Sequence, residues 1–493
     1  MNDALLSTIL LSTNNIMKPL LILVTAVTLT ACAVGPNYQA PQRSAEYTAP
    51  FISTAPGTLS GAAPRQEWWR LYASPDLDAL VAQAFKANTD LRVAVANLQA
   101  AQAVLSETRN ARLPSTTLKA TANYGRNQQP TFSQDDGLIY GSSAELNYEV
   151  DLFGRVTRSI ESARANANAE AFARDAVMVR VAAAVTDAYL TACINAEAVA
   201  VAHSSLDLAT ESSRIVQAQL KAGSASNLDA DRALSALARA RAAVSPLESQ
   251  RQAALFELAA LLGNPPAGVP AAAASCGSAP APQAAIPIGD GASLLKRRPD
   301  VAEAERRLAS ATARIGVATA DLYPRISFGA SVAQYDGDDL TRKQGFSYGV
   351  GPLLSFSFPN IGVARAQVKQ AEARTQASLA QFDGVVLTAL KETEQALTLY
   401  AGEQRRREDL RDAEQQAENA FKRADLSYRA GSIAYLDLIV AQNELIDSRM
   451  ARVQSDQQLA EARLRLFRAL GGGWTTDSAD ADLSKAESPV PGT

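Results

Sequence analysis

At 493 residues the chain has room for two or three ordinary domains, but only 6% of it is aromatic and Ala, Gln, Arg and Glu are abundant, a mixture suited to long, closely packed helices. A formal net charge of −4 without any basic run argues against nucleic acid as a partner. One histidine and three cysteines without CxxC spacing make a zinc site improbable, and with no GxGxxG, P-loop lysine or nucleophile–base constellation the chain reads as no enzyme and needs no cofactor beyond a covalent lipid.

Residues 1–31 have the make-up of a signal peptide. Met17-Lys18 precedes an apolar stretch from Pro19 to Thr30, which runs into Leu29-Thr30-Ala31-Cys32. Residues 1–16 carry no positive charge, so Met17 is a candidate start. A membrane anchor is the alternative, but the apolar run falls short of the ~20 residues a span needs. Small residues directly before Cys32 look like a lipobox, in which Cys32 is acylated, palmitate included, and becomes the first mature residue. Ala33 in place of Asp after it matches outer-membrane sorting of Gram-negative lipoproteins. Several acyl chains on one cysteine make a stable tether.

Residues 32–75 are Pro-, Ser-, Thr- and Gly-rich and read as an extended segment anchored by Trp68-Trp69. A first unit covers 76–263. It opens with helical spacing, broken at Asn88-Thr89-Asp90 and ending near Leu113, and then changes to period two. Strands are expected over about 115–125 and 142–152, where Ala144, Leu146, Tyr148 and Val150 alternate with Ser143, Glu145, Asn147 and Glu149. Such alternation fits a transmembrane β-strand or the surface hairpin of a soluble protein with solvated charged rows. A second unit, 299–471, repeats the order: a helix over 299–322 that starts at Pro299, then strands over about 325–335 and 346–358. Pro352 predicts a bulge or a strand end nearby. Four strands cannot close a barrel, so if they lie in a membrane the chain must oligomerise.

Long helices follow the strands, over about 155–222 and 363–430. The first contains neither Gly nor Pro; the second has only Gly384 and Gly402. A helix of about 66 residues reaches ~100 Å, more than a compact domain requires. Each stops at a glycine, Gly223-Ser224 or Gly431-Ser432, and restarts near Asn227 or Ser432. Return helices then run over about 228–262 and 436–470, the first with a kink or break expected at Pro246. A Pro/Ala-rich join occupies 264–298, and residues 472–493 form a C-terminal tail. Gly223 and Gly431, like Gly263 and Gly471, lie 208 positions apart, and several ordered landmarks at one offset read as an internal duplication. His203, mid-helix among Ala and Ser, reads as a surface residue. For Cys193 and Cys276 two readings stay open: a disulfide, which an oxidising compartment permits, or two separate thiols.

These landmarks resemble the outer membrane factor family, the TolC-like efflux ducts, in the OprM/NodT lipoprotein branch. The matching residues are Cys32-Ala33-Val34-Gly35-Pro36-Asn37-Tyr38, Trp68-Trp69, Val150-Asp151-Leu152-Phe153-Gly154-Arg155, and Arg297-Arg298-Pro299-Asp300-Val301 leading to Ala313-Arg314-Ile315-Gly316-Val317 and Leu322-Tyr323-Pro324. The resemblance implies a mainly α fold with a small β part. Very long antiparallel helices would build an α-barrel in a homotrimer, and four strands per chain would join a shared 12-stranded barrel in the lipid of the outer membrane. It implies a passive conduit completing a tripartite pump with a periplasmic membrane-fusion adaptor and an inner-membrane transporter of the RND type. The join, the Trp68-Trp69 segment and the tail would wrap the equator. The turns at Gly223, Ser224, Gly431 and Ser432 would be the periplasmic tip where the adaptor docks. By the same resemblance Tyr428 would bond Asp229 to hold the tip shut, and Asp437 would set carboxylates around the axis. Ile433 and Val440 replace an arginine and an aspartate of the TolC-type tip. The competing reading is a structural periplasmic coiled-coil lipoprotein without a transport role, which has no need of amphipathic strands.

Overall fold

The computed structural model describes residues 33–42, 45–53, 59–62, 67–125, 137–337, 346–356 and 361–473. Cys32, the signal peptide and the tail beyond Gly473 lie outside the described residues. The chain divides into two compact units, one built from Met1–Pro41, Gln99–Ala169 and Ala304–Phe382, the other from Gln42–Leu98, Glu170–Glu303 and Asp383–Thr493. Among the described residues, eight α-helices of seven or more residues carry most of the chain: α1 Pro75–Ala87, α2 Thr89–Asn110, α3 Arg155–Lys221, α4 Asn227–Leu261, α5 Gly291–Arg297, α6 Pro299–Ala320, α7 Ile361–Arg429 and α8 Tyr435–Ala469. Four longer strands accompany them: β1 Ser115–Gly125, β2 Gly137–Val150, β3 Arg325–Gly337 and β4 Phe346–Ser355.

The first unit holds an antiparallel sheet in the order β1-β2-β3-β4. Its register sets like against like: Leu118 opposes Ala144, Ala144 opposes Val332, and Val332 opposes Tyr348. The next row on the same face runs Thr116, Leu146, Ala330, Val350. Rows one residue away are polar, as in Thr117, Glu145, Ser331, Gly349, and Lys119 pairs with Glu145 at 3.3 Å across that face. Because successive side chains alternate, this register puts both apolar rows on one side. Of the bulge or strand end expected near Pro352, the strand end is found, β4 stopping at Ser355, and no bulge precedes it. Pairing is one-to-one from Arg325–Ser355 through Phe328–Pro352 to Gln334–Phe346, and the edge position of β4 is what admits a residue without an N–H.

β2 ends two residues before the expected position because Asp151 turns to cap α3. Its carboxylate accepts the Val156 and Thr157 amides, each at 2.8 Å, and the Thr157 hydroxyl at 2.7 Å. The N-terminal segment is clamped at this junction. Val34 donates to the Phe153 carbonyl at 3.1 Å, and buried Arg158 donates to the carbonyls of Val34 and Gly35 and to Asn37 at 3.1, 3.2 and 2.8 Å. Gly35 has φ +88°, and a Cβ there would sit 2.5 Å from the Gly316 Cα, so two backbones touch.

The second unit is centred on an apolar core that includes Leu77, Val185, Leu190, Leu258, Leu397 and Leu466, with Trp68 stacked on Phe467 at 4.4 Å. Both halves of the chain close it in parallel ways. Asn88, between α1 and α2, donates to the Leu261 carbonyl at the end of α4 at 3.0 Å and caps Leu91. Arg298, between α5 and α6, donates to the Ala469 carbonyl at the end of α8 at 3.0 Å, while Arg297 reaches the Leu470 carbonyl at 2.8 Å. The join is tied down by a short parallel pairing of Leu59-Ser60 with Ile286-Pro287 and by a disulfide, Cys193–Cys276, with Cα atoms 5.2 Å apart. Of the kink or break expected at Pro246, the break does not occur: α4 continues through it from Asn227 to Leu261. Pro246 and Ala242, whose carbonyl loses its partner, are both exposed, so water can supply the missing hydrogen bond.

Candidate functional site: the paired helix turns

The two long helices, α3 and α7, stop in the same way. Gly223 and Gly431 have φ +75° and +73°, and nothing lies within 4 Å of a Cβ built on either. The glycines serve backbone conformation alone. Gly223 donates to Leu220 at 3.0 Å and Ser224 to Gln219 at 2.9 Å; Gly431 donates to Tyr428 at 2.9 Å and Ser432 to Ser427 at 2.9 Å. The serine hydroxyls repeat the contact, Ser224 to the Gln219 carbonyl and Ser432 to the Ser427 carbonyl. Ser432 therefore finishes α7 and does not start α8.

The restarts differ from expectation as well. Ser226, not Asn227, caps α4: its hydroxyl accepts the Asp229 amide at 3.2 Å, while the Asp229 carboxylate accepts the Ser226 amide at 3.2 Å and hydroxyl at 2.6 Å. Those bonds from Ser226, with Arg232 at 3.9 Å, hold the Asp229 carboxyl below the usual carboxylate range. At the second restart Asp437 accepts the Ala434 amide at 3.3 Å, and Ala434 offers no hydroxyl in return.

The hydrogen bond expected between Tyr428 and Asp229 is not formed within the protomer. Asp229 is occupied by its own cap, and the Tyr428 hydroxyl donates to the Gln219 side chain at 2.7 Å. Tyr435, its ring 5.8 Å from that of Tyr428, shares a 2.9 Å hydrogen bond with Ser212. Burial pushes the Tyr435 hydroxyl above its ordinary pKa, with the Ser212 bond acting the other way. Around the two tyrosines Val216, Ala230, Ala233, Leu438 and Ile439 form a small apolar cluster. Two neutral bonds thus join α3 to α7 and α8 just short of the turns. Asp437 is exposed beside them.

Further along the same helices Arg452 binds three carboxylates: Glu414 at 2.6 Å, Asp456 at 2.7 Å and Glu197 at 2.9 Å. Arg407 shares Asp456, and Arg449 approaches Glu414 at 3.8 Å. Gln219, Ser212 and Arg452 escaped the sequence reading, since a glutamine or serine on a long polar helix carries no signal of a partner some 209 positions away.

Two further features bear on function. Many apolar side chains of the sheet are open, among them Tyr348 (80% exposed), Leu118 (78%) and Val350 (70%). α3 contains an 18-residue stretch apolar enough for a membrane helix, but 67% of that window is buried inside the protein. Among the described residues no group of three or more His, Cys, Asp or Glu side chains is placed to hold a metal ion.

Comparison with known proteins agrees with this architecture. A family model described as outer membrane efflux protein matches residues 80–264 and 292–472. The pyoverdine export outer membrane protein OpmQ of Pseudomonas aeruginosa is 30% identical over 427 residues, 85% of this chain and 90% of that protein. OprJ, an outer membrane protein of the same organism, is 32% identical over 465 residues, 92% of this chain and 95% of its own. Among solved structures the outer-membrane channel OprN superposes with a TM-score of 0.82 at 34% identity, covering 90% of this chain and all (100%) of that one.

Proposed function

Because the chain belongs to the outer membrane efflux protein family, we propose that three copies close one duct, with four strands from each forming a 12-stranded barrel and the long helices lining its periplasmic extension. The channel lies in the outer membrane and serves efflux. The observation that carries the trimer is the open sheet: among the described residues β1 and β4 each have one neighbour, and the exposed apolar rows cross all four strands. An edge left open in hydrocarbon costs several kcal/mol for each unpaired backbone group, and only closure by other copies removes it. A coiled-coil spacer has no use for such a sheet.

The duct is passive. A periplasmic membrane-fusion adaptor and an energised inner-membrane transporter of the RND type complete the pump, with the adaptor meeting the turns at Gly223, Ser224, Gly431 and Ser432. Cys32 carries the lipid. Its neighbour Ala33 is packed so closely on Gly154 that a Cβ on the glycine would lie 2.6 Å away, and Val34 is bonded to Phe153, just past the end of β2. That clamp holds Ala33 and Val34 beside the end of β2, which supports an anchoring role for a lipid on the preceding cysteine.

The tip is held shut in each protomer by Tyr428–Gln219 and Tyr435–Ser212, while Asp229 stiffens the first turn and Asp437 puts carboxylates around the axis, favouring cations over anions. In planar bilayers, Tyr428→Phe combined with Gln219→Leu should raise single-channel conductance, whereas Asp229→Asn should leave it near the parent value. Unchanged conductance in the double variant removes the tyrosine pair from the gate. For the whole reading, cells lacking this protein and any redundant duct should become sensitive to exported compounds, and normal export would overturn it.

A further inference from the structure

Away from the turns, one cluster of charges ties α3 to the pair α7–α8. Arg452 is the central residue of α8, as far from Tyr435 as from Ala469. Its guanidinium joins three helices, meeting Glu197 of α3, Glu414 of α7 and Asp456 of α8, and its side chain is only 18% exposed. Arg407 also binds Asp456 and Arg449 stands near Glu414, whereas Glu197 has no other cation among the described residues. The counterpart positions, 208 residues away, carry no such cluster: Val244 stands for Arg452, Leu206 for Glu414 and Arg405 for Glu197. Apolar residues like Val244 and Leu206 serve cohesion at least as well, because a half-buried charge cluster gains little net stability over them. What charges drawn from three helices fix is relative position.

Resting on the gate assigned above, we propose that Arg452 is a positioning residue of the tip. By fixing the midpoint of α8 against α3 it sets the register in which Tyr428 reaches Gln219 and Tyr435 reaches Ser212. The other end of α8 is anchored: the Ala469 carbonyl accepts Arg298 at 3.0 Å and the Thr393 hydroxyl at 3.2 Å, and Phe467 stacks on Trp68. Along the helix axis Tyr435 lies about 25 Å beyond Arg452 and about 50 Å beyond that anchor. A rod held at one end amplifies displacement. A gap of ~1 Å at Arg452 becomes ~2 Å at Tyr435, enough to break hydrogen bonds of 2.7 and 2.9 Å. Loss of Arg452 opens such a gap, because Glu197 on α3 then meets Glu414 and Asp456 with no cation between them.

The readout is the ratio of open to closed time of the full-length channel in planar bilayers at ~0.1 M salt, where charges act over about 10 Å. Arg452→Gln should raise that ratio roughly five- to tenfold, since the junction loses a link and gains repulsion. Glu197→Gln loses the link without leaving a surplus charge and should raise it about two- to threefold. It carries the test if Arg452→Gln yields no heat-resistant trimer. The double variant should match Glu197→Gln and fall below Arg452→Gln, the reverse of what a merely cohesive cluster gives. Arg452→Lys keeps the charge and should stay within about twofold of the parent. Where Tyr428→Phe with Gln219→Leu has already freed the tip, Arg452→Gln should add nothing. Parental ratios in Arg452→Gln or in Glu197→Gln, a double variant above Arg452→Gln, or an undiminished effect in the tyrosine background would each overturn the proposal and leave the gate standing. A tyrosine variant that itself keeps the parental ratio would overturn both.

Discussion

Arg158 shows how much one side chain can hold. It is 4% exposed and donates to two backbone carbonyls, Asn37 and Glu161, so its removal takes away the one buried group that gathers four otherwise water-accessible acceptors. Arg158→Ala should destabilise the clamp by about 1–3 kcal/mol, the range for losing charge-assisted hydrogen bonds and the packing of a buried side chain. The measurement is proteolysis of the segment 33–42, expected to become rapid while the sheet stays protected; equal protection in parent and variant would refute the clamp. Asp229 provides a pH test with a defined sign. Its folded pKa is depressed by Ser226, so the stability it adds is present above the ordinary carboxylate value and is lost as pH falls through the folded one. Hydrogen exchange over residues 222–232, corrected for intrinsic rate, should show the first turn opening as pH drops below ~4. Ser226→Ala should make that opening larger at neutral pH and less dependent on acid.

At the scale of elements, the join is secured by a cross-link that spans 83 positions between α3 and the segment before α5. Cys193 is fully buried in the core and Cys276 packs against it. Replacing both with Ser should lower unfolding stability by about 2–4 kcal/mol, with the midpoint of thermal unfolding in detergent as the readout. A midpoint unchanged by both substitution and reductant would mean the bond is absent from the mature protein. The same element shows what a sequence conveys and what it withholds. β1 was legible to the residue, 115–125, because period two begins after Pro114 and a glycine closes it. The helix ends were legible to within one or two residues, because the glycines at 223 and 431 can adopt a backbone that other residues resist. The disulfide could be named only as a possibility, since the distance between two Cα atoms depends on packing. The restart at Ser226 was misplaced by one position because Asn227 is as good a cap by type. Which of a kink or a break Pro246 would cause stayed open, because exposure decides whether a lost hydrogen bond is costly, and no break occurs.

At the scale of the whole molecule, the decisive property is the opposite character of adjacent rows in one sheet. Ser331 and Val332 are sequence neighbours with opposite faces: Val332 opposes Ala144 and Tyr348, Ser331 opposes Glu145 and Gly349. If the apolar face meets lipid and the polar face a water-filled lumen, the same substitution must have opposite outcomes at the two positions. Val332→Arg would bury a guanidinium in hydrocarbon, at about 2–4 kcal/mol per copy near the midplane. In a trimer that cost applies three times, so the variant should fail to assemble into a heat-resistant species in outer membrane preparations. Ser331→Arg keeps its charge in water and should assemble at parental yield. It places three positive charges around the lumen, so conductance should fall and selectivity should move toward anions, as read from the reversal potential across a salt gradient. A soluble sheet with both faces wet would tolerate both changes alike, and a packed core beneath the apolar rows would reject Val332→Arg while leaving the protein monomeric in the parent. Opposite outcomes at two adjacent residues, together with a change in ion selectivity confined to the polar one, belong only to a membrane wall with an aqueous interior.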